Sequence, residues 1–160
     1  MTTDINVILT ACLQNIKKRV EERMKQSGHW ASGNTAKSLR VEVKVLGHGV
    51  LYGSDALPTL ERGRKPGRVP KGFADIIYDW AKAKRINPKG GKSGEKGLRS
   101  FAGAVAHSIM KKGTKLYRDK RYDDIYDTVF DEEVVKLYVA LNRVAMAKVD
   151  NVINNFDATQ

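Results

Sequence analysis

Residues 57–72 read Leu-Pro-Thr-Leu-Glu-Arg-Gly-Arg-Lys-Pro-Gly-Arg-Val-Pro-Lys-Gly, with five Lys or Arg, three Pro and three Gly in sixteen positions. Such a stretch can orient a substrate, clamp phosphates, or bracket one subunit against the next. Three other groupings have chemical potential. Asp123, Asp124, Asp127, Asp131, Glu132 and Glu133 crowd together as the carboxylates of a Mg²⁺-dependent nuclease do. Gly91-Lys92-Ser93 resembles the end of a phosphate-binding loop, and Gly47-His48-Gly49-Val50-Leu51-Tyr52-Gly53 approximates a dinucleotide fingerprint.

Context removes most of these readings. The glycines at 47–53 have the third one residue late and lie between two predicted strands, where a hairpin turn explains them. The phosphate loop needs a glycine where Ile86 stands, and no apolar strand leads into it. His29, His48 and His107 fall in three different elements, none beside a carboxylate at ligand spacing. His107 reads as an exposed or hydrogen-bonded side chain. The acids at 123–133 form a charge run without an apolar scaffold, which favours a solvated or interface-facing patch over a metal site. Glu61 differs, being the only acid among the loop's bases; an ion pair with Arg62, Arg64 or Arg68 would orient the turn. No catalytic residue, cofactor or metal ligand set is expected, so the chain does not read as an enzyme. A metal-dependent enzyme survives only as a minor alternative resting on Asp123 and Asp127.

The elements that must position these residues follow from periodicity. Ile5, Ile8, Leu9, Cys12, Leu13, Ile16, Val20 and Met24 recur at three- and four-residue steps and predict a helix. Thr3 or Asp4 can cap its start, and Ser27-Gly28 ends it. Cys12, the single cysteine, sits on the apolar stripe and reads as a small core hydrophobe. Thr35–Leu39 suits one short turn. Arg40–Val45 alternates like a half-buried strand, and with Val50-Leu51-Tyr52 it predicts a hairpin whose Val41, Val43 and Val45 face a helix. Proline and glycine argue against regular structure from 57 to Gly72.

Phe73–Ile86 then predicts an amphipathic helix buried through Phe73, Ile76, Ile77, Trp80 and Ala81. Residues 87–94 have linker composition, and a flexible loop is expected at about 87–95. A helix from Leu98 to Lys112 is expected to bury Leu98, Phe101, Ala102, Val105 and Ile109, with Gly113-Thr114 as its stop. Residues 115–129 lack clear periodicity and read as irregular. From Asp131 a long closing helix is expected through Val134, Leu137, Leu141, Val144, Ala145, Val152 and Ile153. The expected class is α+β: an N-terminal helix, a small antiparallel hairpin packed under several helices, and a long C-terminal helix. At 160 residues this suits a single domain over 1–156 with a short tail at 157–160. The N-terminus lacks the pattern of a secretory signal and no run is long enough to span a bilayer, so a protein made in the cytoplasm, with no membrane partner, is expected.

The net charge of +11 is unevenly spread. Residues 1–60 carry +3, residues 61–121 carry +13, and residues 122–160 carry −5. A basic middle and an acidic end suit either nucleic acid or copies of the chain meeting through opposite charges. For the first, 18 basic side chains lie in 61–121, with Tyr78, Trp80 and Tyr117 nearby. Lys82, Lys84, Arg85, Lys89 and Lys92 are the candidate DNA contacts. No recognised sequence-reading module is present, so binding of this kind would be nonspecific.

Several of these residues together resemble a known family. Ala36-Lys37-Ser38-Leu39 leads into the first strand; Leu51-Tyr52-Gly53 is followed by Leu57-Pro58-Thr59-Leu60-Glu61-Arg62-Gly63-Arg64-Lys65-Pro66-Gly67; and the Trp80 helix, the Ala102–Ile109 helix and the Gly113-Thr114 stop complete the set. In these features the chain is similar to the tail-completion, or head-to-tail connector, proteins of tailed bacteriophages, over roughly residues 1–115. In that family a strand ending in Tyr precedes an aliphatic-Glu-x-Gly turn and a basic or proline-containing stretch. The chain departs at Arg64, where the family often has Thr, and in its long acidic-capped closing helix. The resemblance implies a structural virion protein of the neck. Copies would form a ring, a hexamer or dodecamer, that extends the DNA channel and touches portal, adaptor or tail proteins. It brings no catalytic residue and no cofactor. Under it, Glu61, Arg62, Arg64, Lys65 and Arg68 are the expected polar residues of a subunit or ring contact, and the +13 middle is expected to meet the −5 end of a neighbour.

Overall fold

The computed structural model describes residues 2–44, 47–88 and 94–157, with side chains from 5 to 155. Val45, Lys89, Lys92 and the Gly91-Lys92-Ser93 motif lie outside the described residues, as do the side chains of Thr3 and Asp4. The first helix, α1 (Thr2–Gln26), ends where Gly28 takes a left-handed φ of 75°. A single turn, α2 (Asn34–Lys37), leads into β1 (Arg40–Lys44), which pairs antiparallel with β2 (His48–Tyr52) from Arg40↔Tyr52 to Lys44↔His48. Then come α3 (Leu57–Arg62), α4 (Phe73–Ala83), α5 (Gly94–Lys112), α6 (Lys115–Arg118) and α7 (Asp127–Asp157). The molecule is α+β, helical in the main, with a two-stranded sheet.

One core lies between α1, the hairpin and the start of α7. Cys12, Leu13, Ile16, Val20 and Met24 form its α1 side, on the stripe their spacing requires. Val41, Val43 and Leu51 cover it from the hairpin. The sheet approaches closely because Gly49 has no side chain: a Cβ there would stand 2.7 Å from Leu13 Cδ1. Ile125 and Val129 close the core at zero exposure. At about 1.5–3 kcal/mol for each side chain taken from water, these two matter as much as any pair on α1.

Helices α4 and α5 pack chiefly on each other. Gly97, Ala102 and Ala106 are the buried positions of α5, and Ala81 that of α4. Small residues let the two backbones approach. Arg99 crosses the seam, its guanidinium 4.5 Å from the centre of the Tyr78 ring. Leu98, Phe101, Val105 and Ile109 are half-buried along the same face.

The structure corrects five local expectations. Residues 57–62 are helical, because Pro58 sits in the first turn, where a missing N–H costs nothing. Helix α4 stops at Ala83, three residues before Ile86, and rolls Ile76 and Trp80 outward to 56% and 40% exposure. Its partner is the single helix α5, which covers only the stripe through Phe73, Ile77 and Ala81. Helix α5 begins at Gly94, four residues before Leu98, so Gly94 and Glu95 belong to a helix and not to a linker. Residues 115–129 hold α6, the buried Ile125 and the first turn of α7. Finally, much of the closing helix is not covered: Val134 and Ile153 are exposed, and Val152 is 69% exposed.

Candidate functional site

The basic stretch is anchored at Glu61. Helix α3 turns Leu60 onto the core and Glu61 inward, leaving Glu61 2% exposed. The Tyr126 N–H donates to Glu61 Oε2 at 3.2 Å and the Asp127 N–H to Glu61 Oε1 at 3.3 Å. These amides open α7 and have no acceptor within the helix, so a carboxylate from another element caps it. The Asp123 N–H donates to the Glu61 carbonyl at 3.0 Å, so both ends of the residue hold the 123–127 segment. Burial pushes the Glu61 carboxyl above its ordinary range, and the two backbone donors oppose that rise without cancelling it. This corrects the expected ion pair with the loop's arginines. Arg62 instead points to Asp127, and Glu61 is not on a surface that a neighbouring subunit could reach.

Beyond Glu61 the chain is stapled to the α5–α6 corner. Gly63 has a φ of 72°, and a Cβ there would lie 2.5 Å from both Thr114 Oγ1 and the Tyr117 nitrogen. Only glycine fits. The Arg64 N–H donates to Thr114 Oγ1 and the Thr114 N–H to the Arg64 carbonyl, each at 2.9 Å. The Gly67 N–H reaches the Met110 carbonyl at 2.9 Å. The Arg64 guanidinium is folded back, donating to the Arg68 carbonyl at 2.8 Å and lying 5.6 Å from the Phe73 ring centre. Lys65 and Arg68 remain exposed.

This stapling builds a groove of about 610 Å³ lined by Arg62, Gly63, Lys65, Tyr117, Arg118, Lys120, Arg121 and Tyr122. The sequence singled out Arg62 and Lys65, offered Gly63 in a motif and Tyr117 as an aromatic near the basic segment, and did not mark Arg118, Lys120, Arg121 or Tyr122. Its only signal for them was the run Tyr117-Arg118-Asp119-Lys120-Arg121-Tyr122, whose weak periodicity concealed a short helix and a tight turn. The turn forces Lys120 into a left-handed conformation with a φ of 50°, at a cost of about 1 kcal/mol relative to glycine.

The chain matches no family model, no curated protein and no solved structure. Its function therefore has to be argued from its own surfaces.

The acidic run is the next of these, and five of its six members are paired within the chain. Asp123 meets His29 at 2.6 Å, Asp124 meets Arg23 at 3.0 Å, and Asp127 meets Arg62. Arg19 binds both Glu132 and Glu133. Glu133 is 3% exposed and takes a second donor from Lys136 at 2.7 Å. The Lys136 hydrogen bond, helped by Arg19, holds the Glu133 carboxyl below its ordinary range despite burial. Asp124 also lies low, first because Thr128 bonds to it. These pairs tie residues 123–133 to α1, to α3 and to His29; Glu133 is buried, while Asp123, Asp131 and Glu132 stay exposed, so the expected patch is solvated in part and also has partners within the chain. Among the described residues no group of three His, Cys, Asp or Glu side chains is placed to hold a metal ion.

Of the candidate DNA contacts, Lys82, Lys84 and Arg85 are among the described residues. Lys82 is exposed on α4. Lys84 is half-buried and donates to the Gly28 carbonyl, bridging the ends of α4 and α1. Arg85 is exposed at a left-handed φ of 53°.

The last surface is α7 itself, about 46 Å long at 1.5 Å per residue. Val129, Glu133, Leu137, Ala140 and Val144 are its covered stripe. Half a turn away lie Val135, Tyr138, Val139, Asn142, Met146, Val149 and Ile153, all exposed. Tyr138 is 67% exposed. The helix thus has two apolar faces, of which its own fold covers one.

Proposed function

We propose that this chain is a structural virion protein that forms a ring in the head-to-tail connector of a tailed bacteriophage, joining portal to tail around the DNA channel. The observation that carries the reading is the uncovered apolar stripe of α7. A contiguous exposed apolar strip that long is characteristic of a protein interaction surface. Copies are the natural occupant of such a strip on a subunit whose other face is already committed to its own core. In a ring each copy offers two different surfaces, and rotation closes the contact.

The internal pairing of Asp123, Asp124, Asp127, Glu132 and Glu133 changes the chemistry of that joint. Five of the eight acids of the −5 end pair within the subunit, so in this reading the contact rests more on burial of α7 than on opposite charges. Lys65 and Arg68, both exposed, are its polar participants in this reading. In this chain the Leu60-Glu61-Arg62-Gly63 turn caps α7 and docks on Thr114.

The test is assembly. Val139→Glu combined with Met146→Glu places two charges on the stripe without touching the core. Multi-angle scattering and electron microscopy should show the wild type as a ring, alone or with its portal or adaptor partner, and the variant as a folded monomer. A wild type that stays monomeric in every such mixture overturns the proposal.

A second reading, nonspecific nucleic-acid binding, is favoured by the cationic groove. It is compatible with a ring whose lumen meets DNA.

A further inference from the structure

We infer that the groove between the 62–65 turn and the 117–122 segment is a binding site for single-stranded nucleic acid. Lys65, Arg118 and Lys120 would take phosphates, and Tyr117 and Tyr122 would stack on bases. The inference deepens the nucleic-acid reading above and moves the contact away from Lys82, Lys84 and Arg85.

Charge is the first argument. Of the five cations around the groove, Arg62 is paired with Asp127 and Arg121 stands 3.6 Å from Asp119. Among the described residues, Lys65, Arg118 and Lys120 have no carboxylate partner. All three are exposed, and no carboxylate is among the residues that line the groove. Like charges held together repel, and a bound polyanion relieves that repulsion.

Backbone geometry is the second. Lys120 occupies the left-handed position after α6, its N–H donating to the Tyr117 carbonyl while the Arg121 N–H reaches the Leu116 carbonyl. Glycine is the usual residue there. Lysine keeps the turn and adds an ammonium group to the groove.

The tyrosines decide the class of polyanion. Tyr122 is 70% exposed and Tyr117 is 43% exposed, both on the groove wall beside the cations. An acidic polypeptide would use the cations alone. Unpaired bases use both, because a phosphate track beside exposed rings is the arrangement that single strands fit. At several hundred Å³ the groove is of the size that holds a small organic ligand, which is the size of a nucleotide unit.

The experiment is fluorescence anisotropy of the full chain with a labelled twelve-residue oligothymidylate and with the matching duplex, over a salt series. The expected slope of log Kd against log salt on the single strand is about 2, for three phosphate contacts. Lys65→Glu with Lys120→Glu should flatten that slope, whereas Lys18→Glu with Lys37→Glu, the same change of charge outside the groove, should leave it in place. Tyr122→Ala should weaken oligothymidylate binding about five- to hundred-fold at unchanged slope. Equal losses in the two double variants, no effect of Tyr122→Ala, or preference for polyglutamate over oligothymidylate would each overturn the inference. Circular dichroism melts confirm that every variant is folded. Rings that fail to bind oligothymidylate would leave the connector reading standing; binding by a permanent monomer would do the reverse.

Discussion

The Glu61 carboxylate accepts the backbone N–H of Asp127 at 3.3 Å, across 66 residues of sequence, while the next residue, Arg62, pairs with the Asp127 side chain. One turn of α3 thereby holds both the backbone and the side chain of the residue that starts α7. The relationship makes the 57–72 stretch a structural keystone first, with the surface it presents a consequence.

Removing the cap should loosen α7 at its origin. Glu61→Ala should lower stability by about 1–2 kcal/mol, the usual effect of losing a helix cap. Hydrogen exchange should speed up most at the amides of Tyr126 and Asp127. Unchanged protection there would mean that the carboxylate does not hold the helix start.

Glycine at 63 should be irreplaceable. Gly63→Ala combines a left-handed backbone with a Cβ placed 2.5 Å from Thr114 Oγ1 and the Tyr117 nitrogen. The two costs together are about 2–4 kcal/mol. Urea unfolding should show a lower midpoint, and Gly67→Ala, whose Cβ would meet nothing within 4 Å, should show a smaller loss.

The two buried carboxyls should give opposite pH signatures. The Glu133 carboxyl is lowered when folded, so its contribution is present above the ordinary value of 4.5 and is lost as pH falls through the lower folded value. The stability gap between wild type and Glu133→Gln should therefore close as pH drops below about 5. Glu61 is raised, so the cost of keeping it ionised fades as pH falls toward 4.5, and wild type should gain on Glu61→Gln over that range. Thermal melts at a series of pH values test both signs; parallel curves would contradict the assignments.

Cys12 should be chemically silent in the native state. Its thiol is buried, donates to the Glu133 carbonyl at 3.6 Å, and has its pKa raised first by burial and then by the Glu133 charge. Reaction with a disulfide reagent should proceed only as fast as the protein opens, rising to the free-thiol rate in denaturant. Rapid labelling of folded protein would place the thiol at the surface.

What was legible from the sequence was whatever a local rule expresses. The stripe from Ile5 to Met24, the alternation of 40–44 with 48–52, the interior position of Cys12 and the α5 face are set by periodicity, because neighbours along a helix or strand decide which side is apolar. Gly63 and the 57–72 bases could be singled out by composition. What only the tertiary structure decided was long-range. Glu61 looked like a loop acid because its acceptors' partners, the amides of 126 and 127, are 65 residues away or more. The internal partners of the acids at 123–133 were hidden because they lie on α1, on α3 and at His29, far away in sequence. Ile125 and Val129 were hidden in a segment with no period of its own. Helix α7 carries apolar residues on opposite faces, and periodicity cannot say which of two such faces a fold covers. That choice belongs to α1, whose own stripe takes Val129, Glu133 and Leu137 and leaves Tyr138, Met146 and Ile153 outside.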